Sequence, residues 1–188
     1  MTDIDSLDLV IYPHPSLLGF SDEVDTVDDE IVSIANRMIE VMLKNGGIGI
    51  AAPQIGIDKR IFVAWAGSHL LPKGQVAIEG MTTQAPVVFI NPRLSHISGK
   101  KQTHEEGCLS LPGINIDISR QPYLTIKATG IDGKEFEMQA KPPLSLIIQH
   151  ENDHLNGILI SNPLKCGIKQ RKEIESELTK LRLAHKDT

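Results

Sequence analysis

Apolar residues along the chain follow two periods. From about Asp25 to Lys44, the residues Val27, Ile31, Ile34, Met38, Val41 and Met42 recur mostly three or four positions apart, which draws one stripe down an α-helix. Asp25, Thr26 and Asp28 suit its N-terminal end, and Asn45, Gly46 and Gly47 suit its exit, where a left-handed residue is commonly needed. The period then shortens. Arg60–Trp65, Pro86–Ile90, Ile114–Ile118 and Tyr123–Thr129 are short apolar or alternating runs that read as strands. Asp132-Gly133 predicts a hairpin that returns through Lys134–Gln139. A second helix begins near Pro142 or Pro143, because proline is tolerated in a first turn, and stops near Asn156-Gly157. Its first half, with Leu144, Leu146, Ile147 and Ile148, is apolar almost all round, so it belongs at the centre of the fold. A last helix spans about Pro163 to His185, with Ile174, Leu178 and Leu181 on one face. The polar, glycine-bearing stretch Ala66–Ala85 predicts no element.

Composition narrows the class. The 188 residues, 40% hydrophobic and 23% charged, make one domain over residues 1–188, ending in the C-terminal helix about 163–185, with a core large enough to need no staple. A net charge of −5 argues against a nucleic-acid-coating protein and direct nucleic-acid readout. No run of about 18 apolar residues exists to span a membrane. Residues 1–36 hold nine acids and no Lys or Arg, which fits neither a secretory signal nor a transit peptide. The expectation is a cytoplasmic, reducing setting. There Cys108 and Cys166, the only cysteines, are free thiols rather than a disulfide framework.

The chemistry concentrates in His150-Glu151-Asn152-Asp153-His154. Helical positions four apart share a face about one turn from each other, so two imidazoles there can grip one metal ion. Glu151 then projects beside them, placed to take a proton from water at the metal. Two solvated histidines are the plainer alternative, and the apolar helix around them argues against it. A third ligand is needed. The extended pattern with a third histidine fails, because Ile160 stands at that position. Glu173 and Glu175 follow on a mixed-charge helix. Cys108, in Glu106-Gly107-Cys108-Leu109-Ser110, is the better choice, though a free cysteine is often just a small buried hydrophobe. Cys166 fits that plainer role. A Cys/His/His set leaves one position for water, which is the catalytic rather than the structural arrangement. Ferrous iron, zinc, nickel and cobalt all suit such ligands.

Three segments together resemble peptide deformylase: Gly47-Ile48-Gly49-Ile50-Ala51-Ala52-Pro53-Gln54, Glu106-Gly107-Cys108-Leu109-Ser110, and Gln149-His150-Glu151-Asn152-Asp153-His154. The likeness spans most of the chain and is to the bacterial class with a C-terminal helix. It implies an α+β fold of mostly antiparallel sheets packed around the central helix that carries His-Glu-x-x-His. It implies a cytoplasmic hydrolase of protein biosynthesis that removes the N-formyl group from the initiator methionine of nascent polypeptides, releasing formate. By the same resemblance Cys108, His150 and His154 hold the metal, which is Fe2+ in many members, with Zn2+, Ni2+ or Co2+ as substitutes. Glu151 is general base and acid, and the Gln54 amide and the Leu109 backbone N–H stabilise the oxyanion.

Physical chemistry agrees with that transfer. A tetrahedral intermediate needs donors aimed at its negative oxygen. Backbone at Ile48–Gly49 and at Gly107 can pair with an extended peptide, unless the glycine segment is only a helix-to-strand loop. Ile48, Leu109, Leu146, Ile147 and the His150 ring can form a methionine pocket, or the aliphatic residues can simply be core. Some positions depart from the family pattern. Ile50 replaces a usual leucine, His104 replaces a usual aliphatic residue, and no arginine follows the second motif before Arg120. Two other functions use the same residues: a metallo-endopeptidase or amidase, or an inactive metal-binding, ribosome-associated module. From Leu164 to Thr188 there are seven Lys/Arg against four Asp/Glu, a basic excess that fits ribosome docking and equally a solvated helix face.

Overall fold

The computed structural model describes residues 3–65 and 85–184. The first predicted helix is α1, Asp29–Lys44. It starts four residues later than the periodicity alone indicates, because Asp28 is the cap: its carboxylate accepts the Ile31 N–H at 2.9 Å. Strands β1 (Gly49–Ala51), β2 (Ile61–Ala64), β3 (Val87–Ser98), β6 (Tyr123–Thr129) and β7 (Glu135–Ala140) form an antiparallel sheet in the order β1-β2-β3-β6-β7. Strands β4 (Gln102–Gly107) and β5 (Asn115–Arg120) form a separate antiparallel pair.

Burial explains the contiguous apolar runs. On β2, Ile61 and Val63 pack with α1, while Phe62 and Ala64 face the other way, onto α2 (Leu144–His154). This part of the sheet is therefore covered on both faces, and a strand covered on both faces loses the alternation that marks a half-buried one. Helix α2 lies between this sheet and the β4–β5 pair, whose Glu106 and Arg120 reach its His150 and Asp153. A third apolar cluster joins Ile116 and Ile118 of β5 to Leu17, Leu159, Ile160, Cys166 and Leu178. The mostly antiparallel α+β arrangement around a central motif helix is thus observed.

Differences from the expected elements have local causes. Strand β3 continues eight residues past Ile90 through a bulge. There Asn91 takes a φ of 50° and its side chain bonds both the N–H and the C=O of Val24. Strand β4 is polar on paper, so apolar alternation gives no sign of it. The last helix is two: α3 (Pro163–Glu173) and α4 (Glu175–Ala184). Gly167, at a φ of 76°, interrupts α3 after its first turn. Ile174, Leu178 and Leu181 do pack inward, as expected. Residues 66–84, most of the stretch without an expected element, lie outside the described residues, as does His185.

Candidate metal centre

Three stretches of chain meet beside α2. The 3-10 turn Ala52–Ile55 follows β1 and carries Gln54, which is buried. The end of β4 delivers Gly107, Cys108 and Leu109, and the turn after it is closed by the Leu111 N–H donating to the Cys108 carbonyl at 2.9 Å. The N-terminal segment holds both in place. The Val10 N–H donates to the Gln54 carbonyl, the Tyr12 N–H to the Ser110 carbonyl, and the Ser16 hydroxyl to the Pro53 carbonyl. These backbone clamps leave no pattern in the sequence.

Ligating atoms of Cys108, His150 and His154 lie within 4.8 Å of one another, and Cys108 Sγ is 3.3 Å from His154 Nε2. A tetrahedral centre with bonds of about 2.0–2.3 Å separates its ligands by roughly 3.3–3.7 Å, so the donors converge on a space of cation size. Helical spacing supplies the two rings, whose centroids are 5.1 Å apart. His150 Nδ1 is 2.9 Å from Glu106 Oε2. That contact fixes the ring and leaves Nε2 for a metal. Burial alone would lower the pKa of His150, but the Cys108 sulfur and the Glu106 carboxylate outweigh it and hold the ring well above its ordinary value. Burial pushes His154 well below its ordinary value, and the nearby His150 and Arg120 charges push it further. A neutral imidazole with a free lone pair is what a cation requires.

Glu151 is 4% exposed, and among the described residues its Oε2 has no hydrogen-bond partner. Burial pushes its carboxyl up to about 7, against the opposing pull of His150 and Arg120. It fits only because residue 49 lacks a side chain. A Cβ at Gly49 would sit 2.3 Å from Glu151 Oε1. The Gln54 side chain is held at both ends. Its Oε1 accepts the Ala51 N–H at 2.8 Å, while Nε2 donates to Ser110 Oγ at 3.2 Å and to Cys108 Sγ at 3.6 Å. The amide donor therefore points at the cluster.

A cavity of about 520 Å³ opens onto these groups. Ile48, Gly49, Gln54, Gly107, Cys108, Leu109, Leu146, Ile147, His150 and Glu151 all line it, which gathers every expected site residue except His154, 1% exposed. His104 and Asn115 are on the lining too. Sequence reasoning missed the charged support. Arg120, 4% exposed, donates to both oxygens of Glu106 at 2.5 and 2.9 Å and to Asp153 Oδ2 at 2.8 Å. The available signal was Asp153 inside the motif and Glu106 two residues before the cysteine. What they pair with is set by how β5 packs beside α2, which brings Arg120 to both carboxylates.

Three protein donors with an open direction toward a cavity fit a catalytic metal centre, the arrangement that metal-dependent hydrolases use. Comparison with known proteins narrows this. A model of the polypeptide deformylase family matches residues 6–169, and the chain belongs to that family. A peptide deformylase of Agrobacterium fabrum is 40% identical over 151 residues, covering 80% of this chain and 82% of that one. Another, of Alkalilimnicola ehrlichii, is 35% identical over 175 residues, covering 93% and 90%. Among solved structures, a peptide deformylase from Plasmodium falciparum superposes with a TM-score of 0.83 at 34% identity, over 96% of this chain and 98% of that one. One from Ehrlichia chaffeensis gives 0.80, also at 34% identity, over 95% and 98%.

Proposed function

We propose that the protein removes the N-formyl group from the initiator methionine of nascent chains, releasing formate and a free amino terminus. The observation that carries this reading is the convergence of Cys108, His150 and His154 donor atoms within 4.8 Å, at a cavity that Glu151 also lines. These three residues hold a divalent metal, and the family resemblance favours Fe2+, with Zn2+, Ni2+ or Co2+ able to replace it. Bound there, the metal would supply Lewis acidity and lower the pKa of water.

The remaining work belongs to side chains and backbone of this chain. Glu151 accepts a proton from the attacking water and returns it to the departing amine nitrogen. Burial raises this carboxyl above its ordinary range, which suits it to hold a proton as well as to accept one. The Gln54 amide and the Leu109 N–H stabilise the negative oxygen that develops on the formyl carbon. Backbone at Ile48–Gly49 and Gly107, all on the cavity lining, pairs with the extended peptide. Leu146, Ile147, Ile48, Leu109 and the face of His150 enclose the methionine side chain. Internal peptide cleavage, the competing enzymatic reading, draws no support from the family match.

The basic excess after Leu164 extends this reading to ribosome docking by the C-terminal helices of a cytoplasmic bacterial enzyme. Cutting the chain at Leu164 is a poor test, because Leu178 is fully buried and covers the third apolar cluster. Reversing two exposed charges together, Lys172→Glu with Lys180→Glu, tests it without opening the core. Loss of co-sedimentation with ribosomes is expected, and undiminished co-sedimentation counts against docking. The catalytic reading is tested by formate release from formyl-Met-Ala-Ser, using protein prepared anaerobically, with elemental analysis of the same sample. Absence of formate from metal-loaded protein refutes it.

A further inference from the structure

We propose that Lys165, on the C-terminal helix α3, is a positioning residue for the metal centre, acting on His150 through a continuous chain of charged contacts. The inference rests on the reading that Cys108, His150 and His154 hold a metal. Lys165 Nζ lies 2.8 Å from Asp153 Oδ1. The other oxygen of Asp153 takes Arg120 Nη1, also at 2.8 Å. Arg120 Nε and Nη2 then grip both oxygens of Glu106, and Glu106 Oε2 meets His150 Nδ1 at 2.9 Å.

The direction of the effect follows from counting charges. Two carboxylates, Glu106 and Asp153, share one guanidinium. With Lys165 present, Asp153 has a cation on each oxygen, and Arg120 can spend two of its donors on Glu106. Without Lys165, one oxygen of Asp153 loses its partner, and the buried guanidinium is drawn toward Asp153 and away from Glu106. The Glu106 contact that fixes His150 then loosens. Partners of metal-bound histidines set both ring orientation and ligand basicity. Lys165 thus ties α3 to the metal centre across a buried network, although its own side chain is 28% exposed.

The test uses the full-length chain with Co2+ alone as probe. Lys165→Met keeps the aliphatic stem and removes the charge; Lys165→Arg restores a cation. Lys169→Met is the control, since it removes the same charge from the same helix at a side chain that is 92% exposed and, among the described residues, pairs with Glu173 at 3.9 Å. Chelator competition gives affinity, and the visible spectrum reports the Cys108–Co2+ charge-transfer band and the ligand field. The expected result is a Co2+ affinity loss of roughly 10-fold in Lys165→Met, the lower end for outer partners of ligating histidines. A shifted ligand-field band should accompany it, with recovery in Lys165→Arg and no change in Lys169→Met. Native affinity and spectrum in Lys165→Met overturn the proposal while leaving the metal centre standing. An equal loss in Lys169→Met overturns it too, as a non-specific charge effect. If the native chain shows no thiolate–Co2+ band, both the metal reading and this inference fail.

Discussion

Glu151 combines deep burial, an oxygen with no partner among the described residues, and a carboxyl that burial pushes up to about 7 in the metal-free chain, a set of properties a surface carboxylate lacks. Removing it should separate binding from chemistry. Glu151→Ala is expected to keep its metal but lose about 10²–10⁴-fold in turnover. Normal turnover of a formyl-Met peptide would show that another group moves the proton. Cys108→Ser should instead lower metal content and rate together, because a hydroxyl is a far poorer ligand for such a cation than a thiolate. Unchanged elemental analysis would remove Cys108 from the ligand set. Gly49→Ala probes the same carboxylate from the other side. Its new Cβ, built 2.3 Å from Glu151 Oε1, must displace that oxygen, so activity should fall sharply while the fold survives; full activity would show that Glu151 has room to move. The His150-Glu151-x-x-His154 cluster was legible in the sequence because a helix brings residues one turn apart onto one face. Arg120 was not, because its partners lie 14 and 33 positions away along the chain.

At the scale of elements, α2 is held by packing rather than by its ends. No side chain caps its N-terminus, where Pro143 stands. Leu144, Ile147 and Ile148 are buried against Phe62, Ala64 and Phe89 of the sheet. Ile148→Ala removes a fully buried side chain and should cost about 2–5 kcal/mol, measured as a shift in the denaturant midpoint at constant slope. A loss below 1 kcal/mol would mean that the sheet–helix interface closes over the gap. Periodicity located α1 and α2 well, since each keeps one apolar face over several turns. Strand β4 escaped it because its exposed and half-buried residues, Gln102–Gly107, are polar on both faces. The break at Gly167 was equally hidden, because a glycine in a helical pattern is as compatible with an unbroken helix as with a turn.

For the whole molecule, the buried charges set how stability follows pH. Burial raises the pKa of Glu106, but hydrogen bonds from Arg120 and His150 overcome this and hold its carboxyl at about 2, against an ordinary 4.5. Its stabilising effect is therefore full above pH 4.5 and is lost as pH falls from there through about 2, amounting to about 3 kcal/mol. Glu151, raised to about 7, acts with opposite sign. In metal-free protein its ionisation withdraws stability as pH rises from 4.5 through 7. Denaturation of metal-free protein across this range should show both slopes. Glu106→Gln should flatten the acid limb and Glu151→Gln the neutral limb, and limbs unchanged by these substitutions would place the titrations elsewhere. Among the described residues no helix is long and apolar enough to cross a membrane. The sequence by itself determined the three motifs, the two main helices and the residue types for metal-dependent hydrolysis, because these depend on neighbours within a turn or a short segment. Only the tertiary structure decided that the cysteine meets the two rings, that Gly49 makes room for Glu151, and that one guanidinium joins a β-hairpin to the motif helix. Such contacts depend on strand register and on which elements share a core, and these are settled by burial summed over the whole fold.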